Sequence, residues 1–159
     1  MNRQGPGKIS WTDYTWNPVT GCRNTCSYCY ARKTYERFGM SFEPTLHEER
    51  LDEPARLKRP SRIFVCSVSD LFGPWVPDEW INTVMMAAAE APQHTYQYLT
   101  KHPGALYAWA FGPNDWVGAT ATDQESMDNA LRQLPQASSG VRFVSAEPLL
   151  GPITADLSG

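Results

Sequence analysis

A chain of 159 residues is long enough for one domain with a real core and short for two. Its 42% hydrophobic and 19% charged residues are those of a soluble globular protein, and a net charge of −3 gives no electrostatic case for a dedicated nucleic-acid binder. The opening Met1-Asn2-Arg3-Gln4-Gly5-Pro6-Gly7 lacks the apolar stretch of a signal peptide, and no run approaches the ~20 apolar residues that cross a membrane. A single domain over residues 1–159 is therefore expected, cytoplasmic and without a membrane partner. In that compartment clustered cysteines bind metal more often than they pair.

The first element is a weak strand near Trp16 to Gly21, and it runs directly into Gly21-Cys22-Arg23-Asn24-Thr25-Cys26-Ser27-Tyr28-Cys29-Tyr30. Three of the four cysteines thus fall within eight residues at C-x3-C-x2-C spacing. Three thiolates on one tight loop can hold three corners of a cubane iron–sulfur cluster and leave the fourth iron open. A cluster that only carries electrons normally has four protein ligands, so an open corner points to chemistry at the iron. Zinc competes, but it usually takes four ligands in C-x2-C pairs. Cys26 and Cys29 make one such pair, no second exists, and His47, His94 and His102 are scattered. A disulfide framework suits a small secreted scaffold. The cluster is the favoured reading, with zinc and unligated thiols as the alternatives.

A first helix is predicted from Tyr30 to Phe38. Beyond it, apolar runs alternate with amphipathic ones. Arg62 to Val68 is apolar on both faces, as a buried parallel strand should be. A helix follows with Pro77, Asp78 and Glu79 in its first turn and Trp80, Val84, Ala87, Ala88 and Ala91 inward, ending by Pro92. Thr95 to Thr100 is the next strand, and a short helix from Pro103 sets Leu106, Trp109 and Ala110 on one side. Trp116 to Thr120 is a further strand. Thr122-Asp123-Gln124-Glu125 reads as a capping box opening a helix with Met127, Ala130, Leu131 and Leu134 inward. Val141 to Ser145 is the last clear strand. The 13 prolines suit so many short boundaries.

Strands separated by helices imply an α/β fold of parallel βα units. About five units are present, whereas a closed eight-unit barrel takes about 250 residues. A partial (βα) barrel is the expectation. The ending from Leu149 to Gly159 carries no helix to close it and reads as truncated.

In α/β barrels the site lies at the carboxyl ends of the strands. Here those ends carry Ser67, Ser69 and Asp70; Thr100, Lys101 and His102; Thr120 and Thr122; and Ser145 and Glu147. The cysteine loop follows the first strand and joins the same rim. Thr122 is expected as a helix cap, Ser69 or Asp70 has capping a turn as its competing use, and Cys66 is expected in the core. Trp11, Tyr14 and Trp16 are explained by packing. The basic stretch from Arg56 to Arg62 reads as a solvated approach to a strand, with phosphate contact as the competing use.

The C-x3-C-x2-C spacing resembles the radical S-adenosylmethionine (SAM) signature. More specifically, Trp11-Thr12-Asp13-Tyr14-Thr15-Trp16-Asn17-Pro18-Val19-Thr20-Gly21-Cys22 with Cys26-Ser27-Tyr28-Cys29-Tyr30-Ala31 resembles the phage Gp37/Gp68 family, a group of radical-SAM-like proteins of unknown function. Phe64 to Gly73, Tyr98 to Lys101 and Phe143 to Pro152 extend the likeness through nearly the whole chain. Many members space the first two cysteines more widely and continue past this chain's end with further strands.

The resemblance implies a [4Fe-4S] cluster on Cys22, Cys26 and Cys29, with SAM chelated at the open iron and Tyr28 near its adenine. Ser67, Ser69 and Asp70 stand where many radical SAM enzymes carry a Gly-Gly-Glu element, and Thr100, Lys101, Thr120 and Glu147 complete the expected SAM pocket. It implies further that an external electron donor reduces the cluster, which cleaves SAM to a 5′-deoxyadenosyl radical acting on an unknown substrate. The alternative is a non-catalytic zinc or iron–sulfur phage accessory protein associated with nucleic acid.

Overall fold

In a computed structural model, which describes residues 1–156, the strands are β1 (Asn2–Arg3), β2 (Tyr14–Trp16), β3 (Val19–Thr20), β4 (Thr45–Leu46), β5 (Arg62–Val65), β6 (Thr95–Thr100), β7 (Asp115–Thr120) and β8 (Val141–Ser145). The α-helices are α1 (Tyr30–Arg37), α2 (Glu53–Arg56), α3 (Asp78–Ala89) and α4 (Gln124–Gln133). Of the terminal stretch expected to leave the fold open, residues 157–159 lie outside the described range.

Among the described residues the main sheet runs β1-β2-β5-β6-β7-β8. Every pair beyond the antiparallel β1–β2 edge is parallel. Successive parallel strands are neighbours, which is the order of a (βα) barrel and differs from the reversing order of a doubly wound sheet. β3 and β4 form a separate antiparallel pair.

Register assigns the two faces. Val65, Tyr98, Val117 and Arg142 are aligned across the sheet, as are Phe64, Gln97, Trp116 and Val141 one residue earlier. Side chains alternate along a strand, so Ile63, Val65, Tyr96, Tyr98, Val117 and Ala119 share one face. They join Ile81, Val84 and Ala88 of α3 and Ala130 of α4 in the main core. Phe64, Leu99, Gly118 and Phe143 look the other way, into the concave side. There Trp11 covers them, its ring 4.8 Å from that of Phe64 and 6.3 Å from that of Phe143. Gly118 makes room for this arrangement, since a Cβ there would lie 2.5 Å from the Phe143 ring.

Several boundaries differ from the sequence reading, three of them for reasons visible in the backbone. The single strand expected near Trp16 to Gly21 is two short ones, because the turn through Asn17 and Pro18 sends Val19–Thr20 off to pair with β4. β5 stops at Val65 rather than Val68, because Cys66 takes a left-handed backbone with φ 59°. The cap of α4 is Asp123, one residue later than expected. Its carboxylate accepts from the Ser126 N–H (2.9 Å), and Ser126 Oγ accepts from the Asp123 N–H (3.1 Å), a reciprocal box that displaces the Thr122–Glu125 pairing.

Candidate functional site

The cysteine loop is held from both sides before any metal is considered. Gly21, with φ 81°, turns the chain out of β3, and a Cβ there would run into the Glu43 backbone carbonyl. Its N–H donates to the Val68 carbonyl (3.2 Å) and its carbonyl accepts from Ser69 Oγ (2.7 Å), so the loop is bridged to the segment after β5. The Cys22 N–H donates to the Phe42 carbonyl (3.1 Å). Cys29 is the N-cap of α1, its sulfur accepting from the Arg32 N–H (3.3 Å), and Cys22 Sγ accepts from the Asn24 N–H (3.4 Å). Arg32 reaches back to the carbonyls of Cys22 (2.8 Å) and Asn24 (3.1 Å), its guanidinium over the Phe42 ring.

All three thiols are unpaired, half-buried and on the wall of one cavity of about 570 Å³. That volume is in the range of small-molecule and cofactor sites. Burial pushes the Cys22 thiol above its ordinary value. The Asn24 N–H opposes this, while the negative charges of Asp70 and the neighbouring thiolates add to it. Three thiolates on one cavity wall repel one another, and a positive partner would relieve that repulsion.

The donor set fits a cubane better than a single ion. Among the described residues no three His, Cys, Asp or Glu side chains gather round one ion position. A cubane asks less, since each thiolate binds its own iron. The histidines already have protein partners. His94 is fully buried, with its ring nitrogens on the Ser61 N–H and the Pro54 carbonyl. His47 meets Thr20 and Glu49, and His102 reaches Asn24. Cys66, 2% exposed, has its thiol pushed up to about 12 by burial and stays protonated at neutral pH.

The structure brings Tyr28, Ser67, Ser69, Asp70, Thr100, Lys101, Thr120 and Glu147 to the same cavity, whereas His102 and Thr122 at the same strand ends lie outside its lining. Their side chains do different things there. Ser67 Oγ donates to Asn17 Oδ1 (3.2 Å), and Ser69 is bound to the loop as described. Asp70, 5% exposed, accepts from Thr100 Oγ1 (2.7 Å), the Lys101 N–H (2.9 Å) and Asn24 Nδ2 (3.2 Å), so its carboxylate is turned to protein donors. Lys101 Nζ donates to the Tyr28 hydroxyl (2.7 Å) and lies 5.2 Å from the centre of its ring. Thr120 and Ser145 are register partners on the concave face, and Glu147 is exposed at the rim, before a cis bond to Pro148. Thr122, expected as a cap, instead gives its carbonyl to the Leu150 N–H.

Two contributors escaped sequence reading. Trp11 is part of the cavity lining, along with Lys8, Ile9 and Ser10 of the N-terminal segment. Asn24 is a polar hub inside the cysteine loop, and its place between two ligand candidates was the only available signal. The basic stretch lies at the opposite, N-terminal end of β5, with Arg56 paired to Asp52 and Arg62 to Asp13.

Together these features define an α/β partial barrel with a three-cysteine loop at the carboxyl ends of its parallel strands. The chain belongs to the DUF5131 family of proteins of unknown function, which it matches over residues 6–159. Among solved structures it is similar to spore photoproduct lyase. A cysteine-to-serine mutant of that enzyme aligns with a TM-score of 0.61 at 16% identity, over 86% of this chain and 46% of that one. A double mutant with bound AdoMet and dinucleoside spore photoproduct gives 0.58 at 15% identity over the same shares. The chain spans less than half the length of these structures, and at such identity the likeness bears on fold alone. No curated protein matches. Among the described residues no helix is long and apolar enough to cross a membrane.

Proposed function

We propose that this chain is a radical-SAM-like protein whose Cys22, Cys26 and Cys29 ligate a [4Fe-4S] cluster with SAM at the open iron. The observation that carries the reading is the wall of three free thiols on a cofactor-sized cavity at the strand ends. When bound, the cluster and SAM supply one-electron cleavage of a carbon–sulfur bond and hydrogen abstraction from a substrate.

The remaining work falls to the chain's own residues. Cys29 caps the N-terminus of α1, where its sulfur accepts from the Arg32 N–H and is held facing the cavity. Tyr28, its phenol fixed by Lys101, offers a ring face to the adenine. Lys101 keeps further N–H donors for a carboxylate, and Thr120 with Glu147 offers acceptors to an ammonium group. Trp11, Phe64 and Leu99 make the lining apolar and keep water from a reactive carbon centre. The reading requires an external one-electron donor and an organic substrate, and free thiols of this kind suit a reducing cytoplasm.

Anaerobic loading with iron and sulfide tests the ligand assignment. Wild type should take up about four irons per chain, and Cys22→Ala, Cys26→Ala and Cys29→Ala should each lose most of that content. Equal iron in all three variants, or a single tightly held zinc in the wild type, contradicts it.

A further inference from the structure

Asn24 lies in the gap between Cys22 and Cys26 and is held at four points. Its Nδ2 donates to Asp70 Oδ2 (3.2 Å), and its Oδ1 faces His102 Nε2 (3.2 Å). Its carbonyl accepts from Arg32 Nη2 (3.1 Å), and its N–H donates to Cys22 Sγ (3.4 Å). The network is self-consistent in only one sense. An ionised Asp70 can only accept, so Asn24 gives it the NH2 group and turns its oxygen to His102, which then carries a proton on Nε2.

The two anchors are themselves fixed. Asp70 is buried and bound by Thr100 and Lys101 at the end of β6. The His102 ring lies edge-on to Trp75 at 5.4 Å, and the His102 backbone N–H donates to Thr100 Oγ1 (2.9 Å). The ends of β5 and β6 thus reach across the cavity to grip the middle of the C-x3-C turn.

The geometry points to Asp70 and His102 as positioning residues that hold Asn24 and, through its N–H···S bond to Cys22, set the reduction potential of the cluster. This rests on the reading of the three cysteines as ligands. A donor at a ligating sulfur stabilises the more negative, reduced state, so the potential is higher with the bond and lower without it. A loop ordered before metal arrives also has less conformational entropy to lose on loading.

The test uses Asn24→Ala, on a half-exposed loop, because Asp70→Asn at a buried anchor can disturb the whole cavity. His102→Leu removes the second anchor, while His102→Gln puts an amide donor near the position of Nε2. In the cluster-free chain, amide exchange of residues 22–29 should be roughly tenfold faster in Asn24→Ala and His102→Leu, and near wild type in His102→Gln. In the loaded protein, a redox titration should show the reduction equilibrium of Asn24→Ala less favourable by roughly tenfold, about 59 mV for one electron. Wild-type exchange or a wild-type potential in Asn24→Ala overturns the proposal. If the wild type takes up no cluster, the ligand reading fails by itself. Exchange in the cluster-free chain then still decides for or against the grip of Asp70 and His102 on Asn24.

Discussion

Gly21 determines where the cysteine loop begins. Its positive φ excludes ordinary side chains, and the Glu43 carbonyl occupies the space a methyl group would need. Backbone strain of this kind costs roughly 1–3 kcal/mol, so Gly21→Ala should lose at least that much stability in denaturant unfolding, with Cys22 displaced. A variant as stable as its parent would show that the turn has another solution. The three-cysteine loop was legible from the sequence alone, because residue type and interval put three thiols on one short turn. Asn24 was not, since an asparagine in a loop has many uses. Only the approach of Asp70 and His102, brought from 46 and 78 residues away, reveals its hydrogen bonds.

At the scale of elements, β6 and β8 have the bounds their aromatic and β-branched runs predict, and β7 begins one residue earlier. The failures are local competitions that hydrophobic pattern cannot rank. Cys66 leaves the strand conformation although its neighbours favour it, and Asp123 outcompetes Thr122 because Ser126 can answer it reciprocally. The cap makes a pH prediction. The hydrogen bonds from the Ser126 hydroxyl and N–H hold the Asp123 carboxyl below its usual range. A depressed folded value means that its stabilisation is complete above the unfolded pKa of about 3.9 and is lost as pH falls through the folded one. Melting temperature should therefore fall more steeply below about pH 4 in wild type than in Asp123→Asn, whose amide caps without titrating. Parallel curves would remove Asp123 from the acid response.

For the whole molecule, consecutive parallel strands bring four strand ends and one loop to a single mouth, so residues more than a hundred positions apart line one cavity. The fold was legible in the alternation of apolar runs and helical stretches. The lining by Trp11 was not, because an aromatic ahead of a strand reads equally well as packing. The central claim is an open iron beside a SAM pocket. Electron paramagnetic resonance of the anaerobically reconstituted, reduced protein, recorded with and without SAM, tests it most directly. A [4Fe-4S] signal that changes on adding SAM is the predicted result. A cluster signal indifferent to SAM, or no cluster at all, would contradict the account.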